Sequence, residues 1–311
     1  MTNMTIVPGT NNQLVLSRYG KPMTAGQPQV GTSTSTLLFS ESFANSSLSG
    51  RGWYSIVSQD WVASPAPSGF SGSLRCAWTS GQTVPSTGGM RMLFTASDSL
   101  YLRYQTSFGS NWIGSSQLFG PHIVYFLSDL DGAFDGPSDS YLNIAADVVY
   151  RSGNSARVYF QDNQYMDSTP ANVYPSQSPS ESRATCGGNG QQGYGDSWDF
   201  FADGGFSHGY YQTRNLDSTA FMSPADTAWH TIEIEIILNS IVGGIGQLDG
   251  VCRYWFDGSL IWNRTNLIMR TGTRPNLKIN QFGIAPYMSQ GSPLTQTMYI
   301  ADIEVRTARP S

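Results

Sequence analysis

The sequence predicts an all-β protein, an antiparallel β-sandwich of the jelly-roll type, on three observations. Only 13% of its 311 residues are charged, and two Lys and five Glu leave it short of the residues that favour long surface helices. Several segments alternate apolar and polar residues with a period of two, the pattern of a sheet with one buried face. The chain has 33 Gly and 16 Pro residues, and many of them lie between these segments. Two packed antiparallel sheets satisfy all three observations.

The first element, residues 1–36, is predicted to be an extended arm. It contains three prolines and only short apolar patches, Ile6-Val7 and Leu14–Leu16, so it cannot bury much surface by itself. Two interpretations stay open: a disordered tail, or an arm that orders against a protein partner or a second copy. The arm lacks a basic stretch followed by an apolar core, so we expect no signal peptide in this chain.

Residues 37–311 are predicted to form one domain, with strands on both sides of a long insertion at 163–228. In one strand Ile232, Ile234 and Ile236 alternate with polar residues, and Glu233 and Glu235 are expected on a solvent face. The insertion is rich in Ser, Pro, Gly and aromatic residues, and we expect it to be ordered and to wall a groove. The predicted strands are 37–43, 73–80, 90–96, 99–108, 121–129, 141–150, 156–162, 229–239, 250–258, 260–270 and 297–306.

Composition excludes two classes of partner. The net charge is -5 with no basic run, which excludes typical nucleic-acid binding. No apolar run approaches the roughly 18 residues of a membrane span.

Cys76, Cys186 and Cys252 share no zinc-site spacing, and either one disulfide or three buried thiols fits them.

The C-terminal third carries a set of motifs that resembles a known superfamily. WHTIEIEIILNS (229–240), the Asp257-Gly258 hairpin turn after RYWF and the closing strand TMYIADIEV (297–305) follow one another. This order resembles the concanavalin A-like lectin/glucanase superfamily, and specifically its polysaccharide-lyase-type jelly rolls. The resemblance implies the fold, whereas the superfamily hosts lectins, hydrolases, lyases and inert modules alike. His230, at the start of a strand, is expected to have a structural role.

The residues of the predicted strands bear on two kinds of enzyme chemistry, glycoside hydrolysis and β-elimination. Glycoside hydrolysis is disfavoured, because Glu233 and Glu235 lack the third acid of the E-x-D-x-E pattern. β-Elimination on a uronate needs a group that neutralises the carboxylate, a base and an acid. Both lysines lie outside the predicted strands, so a lysine base is not available there. The candidates for a lyase are His122 and Tyr159 as base or acid, and Arg103 and Arg157 for the carboxylate.

Polar and aromatic residues on the same strands and in the insertion also fit a glycan groove without catalysis. We expect four middle strands to present one polar face, and this face could equally be an ordinary solvated one. The same residue types serve protein–protein interfaces. The candidate glycan-binding residues are Tyr101, Gln105, Tyr125, Tyr141, Asn143, Gln161, Tyr194 and Trp198.

Four aspartates within eleven residues suggest a calcium loop, although no cofactor is required by any motif. Alternating Asp and Gly can wrap a hard cation in oxygen ligands. The alternative is an acidic turn in which the side chains cap their own backbone. The residues are Asp129, Asp131, Asp135 and Asp139.

The sequence therefore predicts a surface-exposed protein that binds glycan or assembles with a partner. The long arm and the absence of a signal peptide favour a decoration-type protein on a virion or particle, or another extracellular location. The alternative function is an active polysaccharide lyase that cleaves uronate-containing polymers by β-elimination.

Overall fold

The computed structural model describes residues 34–54, 60–115, 121–128, 143–151, 155–162, 211–212, 226–247, 249–267, 269–270, 272, 274–288 and 290–310. One short 3-10 helix, Ser49–Arg51, accompanies the strands of this part of the chain. The strands are β1 (Leu37–Glu41), β2 (Trp61–Val62), β3 (Ser73–Trp78), β4 (Met90–Ser97), β5 (Ser99–Phe108), β6 (His122–Leu127), β7 (Asn143–Arg151), β8 (Ser155–Asp162), β9 (Tyr211–Gln212), β10 (His230–Ile237), β11 (Ile241–Val242), β12 (Ile245–Gly246), β13 (Gly250–Phe256), β14 (Ser259–Leu267), β15 (Ile279–Tyr287) and β16 (Gln296–Arg306).

The strands form two antiparallel sheets, which confirms the predicted jelly-roll sandwich. Over the described residues the larger sheet has eight strands, ordered β14-β13-β10-β5-β16-β3-β2, with β1 also paired to β16. The smaller sheet has six, ordered β4-β15-β6-β7-β8-β9. β11 and β12 form a separate hairpin.

One continuous hydrophobic core lies between the sheets. Ile232, Ile234 and Ile236 contribute from the larger sheet, as their alternation predicts, and Phe126 and Phe282 contribute from the smaller one. The two phenylalanine rings lie 6.2 Å apart between centroids. Burying such side chains is the main favourable term in folding.

The hairpin between β13 and β14 turns at Asp257-Gly258, as the sequence predicts. Both residues have positive φ, 47° and 78°, which fits the right-handed twist of the strands and requires residues such as Asp and Gly. Asp257 also accepts hydrogen bonds from the backbone N–H of Thr231 and pairs with the His230 ring. His230 is thereby a structural residue that joins β10 to this hairpin.

β15 is a strand that the sequence analysis did not predict. Asn280, Gly283 and Pro286 are turn-favouring residues, yet β15 lies between β4 and β6 in the smaller sheet. Its pairing with β6 shifts register between Ile284 and Tyr287, which places Pro286 at a bulge, where a strand tolerates it.

The expectation that Glu233 and Glu235 face solvent is wrong. They do lie opposite the core-facing isoleucines, but they are only 5% and 7% exposed. Arg309, which follows β16, pairs with Glu233, and Arg253, the β13 neighbour of Glu235, pairs with Glu235. A carboxylate this buried is retained because a cation accompanies it.

Cys76 and Cys252 are buried free thiols, so no disulfide joins them. Within the described ranges, no helix has the length and apolarity to cross a bilayer. Residues 34–36 run beside the end of β16, with Thr307 N–H donating to the carbonyl of Thr36 at 3.0 Å. The rest of the arm lies outside the described residues.

Candidate functional site

The polar strand faces predicted to form one surface lie on two different sheets. β5, which carries Tyr101, Arg103 and Gln105, belongs to the eight-stranded sheet, whereas β6, β7 and β8 belong to the six-stranded sheet. The prediction of a single groove across all four strands is therefore wrong. Period-two alternation tells which side of a strand is polar, but it does not tell in which sheet the strand lies.

On the outer face of the eight-stranded sheet, the β5 side chains bond to neighbouring acids. Arg103 and Gln105 both donate to Asp302 Oδ2, at 2.6 and 2.8 Å. Tyr101 Oη donates to Glu233 Oε2 at 2.7 Å. Burial, and next the hydrogen bond to Glu233, raise the pKa of Tyr101 well above its usual value. These contacts join β5 to its neighbours β10 and β16.

The outer face of the six-stranded sheet carries a cross-strand row centred on Gly283. Gly283 pairs with Arg91 on β4 and with Tyr125 on β6. Met90 and Met92 belong to the core, so Arg91 and its ladder partners lie on the opposite, outer face. The row continues through position 145 on β7 to position 161 on β8. Gly283 is itself buried and has no side chain, so the row has a gap only in the sense that no side chain separates Arg91 from Tyr125 at this position.

Tyr54 and Gln281 support Arg91 beside this gap. Tyr54 forms an isolated bridge with Arg91, and the Arg91 guanidinium lies 5.6 Å from the centroid of the Tyr54 ring. Tyr54 Oη donates to Gln281 Oε1 at 2.9 Å, and Gln281 Nε2 donates to the Ser128 carbonyl at 2.8 Å. Gln281 is fully buried, so both ends of its amide are fixed.

Several predicted site residues map onto this sheet by register. Asn143 pairs with Leu127, Arg157 with Val149, and Tyr159 with both Asp147 and Gln212. Positions 157, 159 and 161 of β8 are each two residues apart, and position 161 belongs to the row that contains Tyr125. His122 pairs with Tyr287 at the end of β6.

Other predicted residues lie outside the described residues, and their roles stay predictions. Among the described residues, no group of three or more His, Cys, Asp or Glu could hold a metal ion. The predicted residues outside the described ranges are the glycan-binding candidates Tyr141, Tyr194 and Trp198 and the calcium candidates Asp129, Asp131, Asp135 and Asp139.

The sequence analysis missed four residues in and around this sheet. Arg91 could have been found, because it stands between Met90 and Met92 in a strand that was predicted. Gln281 and Tyr287 were missed together with β15. Nothing in the sequence indicated a role for Tyr54, because the residues around it show no strand pattern. Only the fold brings Tyr54 beside β4.

Solved structures that match this chain include polysaccharide lyases. The alginate lyase vAL-1 from Chlorella virus matches with a TM-score of 0.52 and 13% identity, over 82% of this chain and 92% of that one. The marine PL-14 alginate lyase from Aplysia kurodai matches with a TM-score of 0.50 and 16% identity, over 88% and 98%. The chain shares the jelly-roll fold of these two lyases. No family model and no curated protein matches the sequence. At these identities the likeness establishes the jelly roll, and an activity has to be argued from the site.

Proposed function

We propose that the protein is a polysaccharide lyase that cleaves uronate-containing polysaccharide by β-elimination on the outer face of its six-stranded sheet. The observation that carries this proposal is the row Arg91–Gly283–Tyr125. On three adjacent strands, this row places the Arg91 guanidinium and the Tyr125 phenol on either side of Gly283. The lyase neighbours give the fold a precedent for this chemistry.

The candidate groups for the steps of β-elimination are Arg91 and Tyr125 on this face, and His122 and Tyr287, which pair at the end of β6. Arg91 neutralises the uronate carboxylate, which acidifies the C5 proton, and its almost complete burial strengthens that interaction. His122 takes the C5 proton, the electron pair forms the C4–C5 double bond, and the bond from C4 to the leaving oxygen breaks. Tyr125 or Tyr287 donates a proton to that oxygen. No hydrolytic water and no redox partner enters the balance.

Register suggests how a polymer would extend from this centre. Arg157, Tyr159 and Gln161 stand at alternate positions of β8, on the far side of β7 from Tyr125. Planar hydrogen-bonding groups and aromatic rings are suited to successive sugars of an acidic chain. Arg103 is excluded from this role, since it pairs with Asp302 on the other sheet.

A direct assay tests the proposal. The purified chain is incubated with alginate and with glucuronan, and the absorbance of the unsaturated product is followed. We expect turnover on at least one polymer, and its loss in His122→Ala and in the double variant Tyr125→Phe/Tyr287→Phe. Circular dichroism of each variant establishes that the fold is retained.

Two outcomes would contradict this proposal. Turnover that survives His122→Ala and the double tyrosine variant would place the chemistry elsewhere. Saturable polymer binding without any product would favour glycan binding alone. An assembly role through residues 1–36, including a decoration-type role on a particle, would then be examined by the oligomeric state of a chain that lacks them.

A further inference from the structure

A second site lies on the opposite side of the sandwich, on the outer face of the eight-stranded sheet. Three of its residues come from adjacent strands: Tyr101 on β5, Glu233 on β10 and Trp255 on β13. Register pairs Glu233 directly with Trp255. These residues receive the side chain of Arg309, which follows the last strand.

The contacts to Arg309 are those of a specific guanidinium site. Nε and Nη2 donate to the two oxygens of Glu233 at 2.7 and 3.2 Å, which is the bidentate fork. The guanidinium carbon lies 4.7 Å from the centroid of the Trp255 ring, a cation–π contact. The hydrogen bond to Glu233 is the main reason that the pKa of Arg309 is raised. A planar fork and an aromatic platform together select arginine over lysine.

The site does not depend on the tail for its shape. Glu233, Tyr101 and Trp255 are fixed by the backbone ladders of three central strands. The Tyr101 hydroxyl hydrogen bonds to Glu233, and this bond does not involve the tail. In contrast, the Arg309 side chain is 37% exposed, and it can leave without opening the core.

We propose that Glu233, Trp255 and Tyr101 form a binding site for an arginine side chain of an extended peptide. The chain's own Arg309 fills it in the structure. An arginine presented in trans on an equivalent peptide binds in the same way when Arg309 is withdrawn. This site is separate from the proposed lyase face, so peptide binding here does not depend on lyase activity.

Peptide binding to the full chain tests this proposal. The probe is a peptide with the sequence of residues 307–311, Thr-Ala-Arg-Pro-Ser, titrated calorimetrically into the native chain and into Arg309→Ala. We expect at least about tenfold tighter binding to Arg309→Ala, because the native tail competes at a high effective concentration. A peptide with Lys in place of Arg should bind at least about tenfold more weakly than the probe.

Matched variants locate the binding. Arg309→Ala/Glu233→Gln should lose the peptide, since the charged acceptor is gone. Arg309→Ala/Glu304→Gln should keep it, because Glu304 pairs with Arg306 on the same sheet and not with the tail arginine. Folded Arg309→Ala that binds no peptide, or binding that survives Glu233→Gln, would overturn the proposal.

A weaker substitution covers the case in which Arg309→Ala does not fold. Arg309→Lys retains a cation for Glu233 but loses the fork, so the arginine peptide should displace the lysine and bind more tightly than it does to the native chain. If Arg309→Lys also fails to fold, the arginine belongs to the structural core of the sheet and the proposal is wrong.

Discussion

At the residue scale, the proposed lyase chemistry depends on which arginine lies on the outer face of the six-stranded sheet. Arg91 and Arg103 both stand at polar positions of regular strands. Arg103 meets Asp302 across its sheet at 2.6 Å, whereas Arg91 lies over the Tyr54 ring beside the gap at Gly283. Because Asp302 already pairs with Arg103, Arg103 is a poor receptor for a substrate carboxylate.

Arg91→Ala should lower kcat/KM on a uronate polymer by about 100-fold or more, because the charge that stabilises the developing anion is lost. Arg75→Ala is the matched control, since Arg75 pairs with Asp60 on the other sheet. Initial rates of unsaturated-product formation measure both. A loss in Arg103→Ala with none in Arg91→Ala would place the reaction on the eight-stranded sheet.

Asn239 illustrates a residue whose role is stability. Its side chain is fully buried and accepts from the backbone N–H groups of Met269 and Arg270, while its amide donates to the carbonyls of Ser240 and Arg270. Asn239→Ala should lower the free energy of unfolding by about 2–4 kcal/mol, because it leaves buried backbone groups unpaired. Urea denaturation measures this. Asn263→Ala, on the exposed side of β14, should change it by less than about 0.5 kcal/mol.

At the element scale, β15 decides the shape of the candidate site. It brings Gln281, Gly283 and Tyr287 between β4 and β6, and it gives the row its gap. Its sequence, INQFGIAPY, combines Gly and Pro with an apolar alternation, so local propensity favours a turn where the sheet contains a strand. Hydrogen-bonded pairing of β15 with β4 on one side and β6 on the other overrides that propensity.

Gly283→Val should raise the KM for polymer by about tenfold while the fold is kept, since a branched side chain fills the gap between Arg91 and Tyr125. Gly89→Ala is the control, because a Cβ there would meet its nearest atoms at an ordinary 3.7 Å. Steady-state kinetics of both variants provide the comparison. An unchanged KM in a folded Gly283→Val chain would show that substrate does not occupy the row.

At the scale of the whole molecule, buried groups that keep their protons set the response to alkali. Burial raises the pKa of Cys76 and of Cys252, and burial followed by Glu233 raises that of Tyr101. A raised pKa in the folded state means that the unfolded chain loses its proton first as the pH rises. The stability from these groups is therefore complete below their ordinary values, near 9 for the thiols and 10 for the phenol, and declines above them.

The free energy of unfolding should fall between pH 8.5 and pH 10.5, by up to about 1.4 kcal/mol per pH unit for each thiol. Urea denaturation with a reductant present measures the slope. The double variant Cys76→Ala/Cys252→Ala should be less stable at pH 7.5, because it leaves small cavities, but should lose less stability as the pH rises. Parallel pH slopes for the two proteins would contradict this assignment.

The sequence by itself determined the fold class, the segment 37–306 that contains the strands and the Asp257-Gly258 hairpin. Those features depend on alternation and turn chemistry, which are local and can be read along the chain. It also identified His122 and Tyr125 as polar strand positions. Only the tertiary structure decided that β5 lies on the other sheet, that Glu233 and Glu235 are covered, and that Tyr54 and Gln281 support Arg91. Each of these is a contact between residues far apart in sequence, and the period of a strand does not specify which strands become its neighbours.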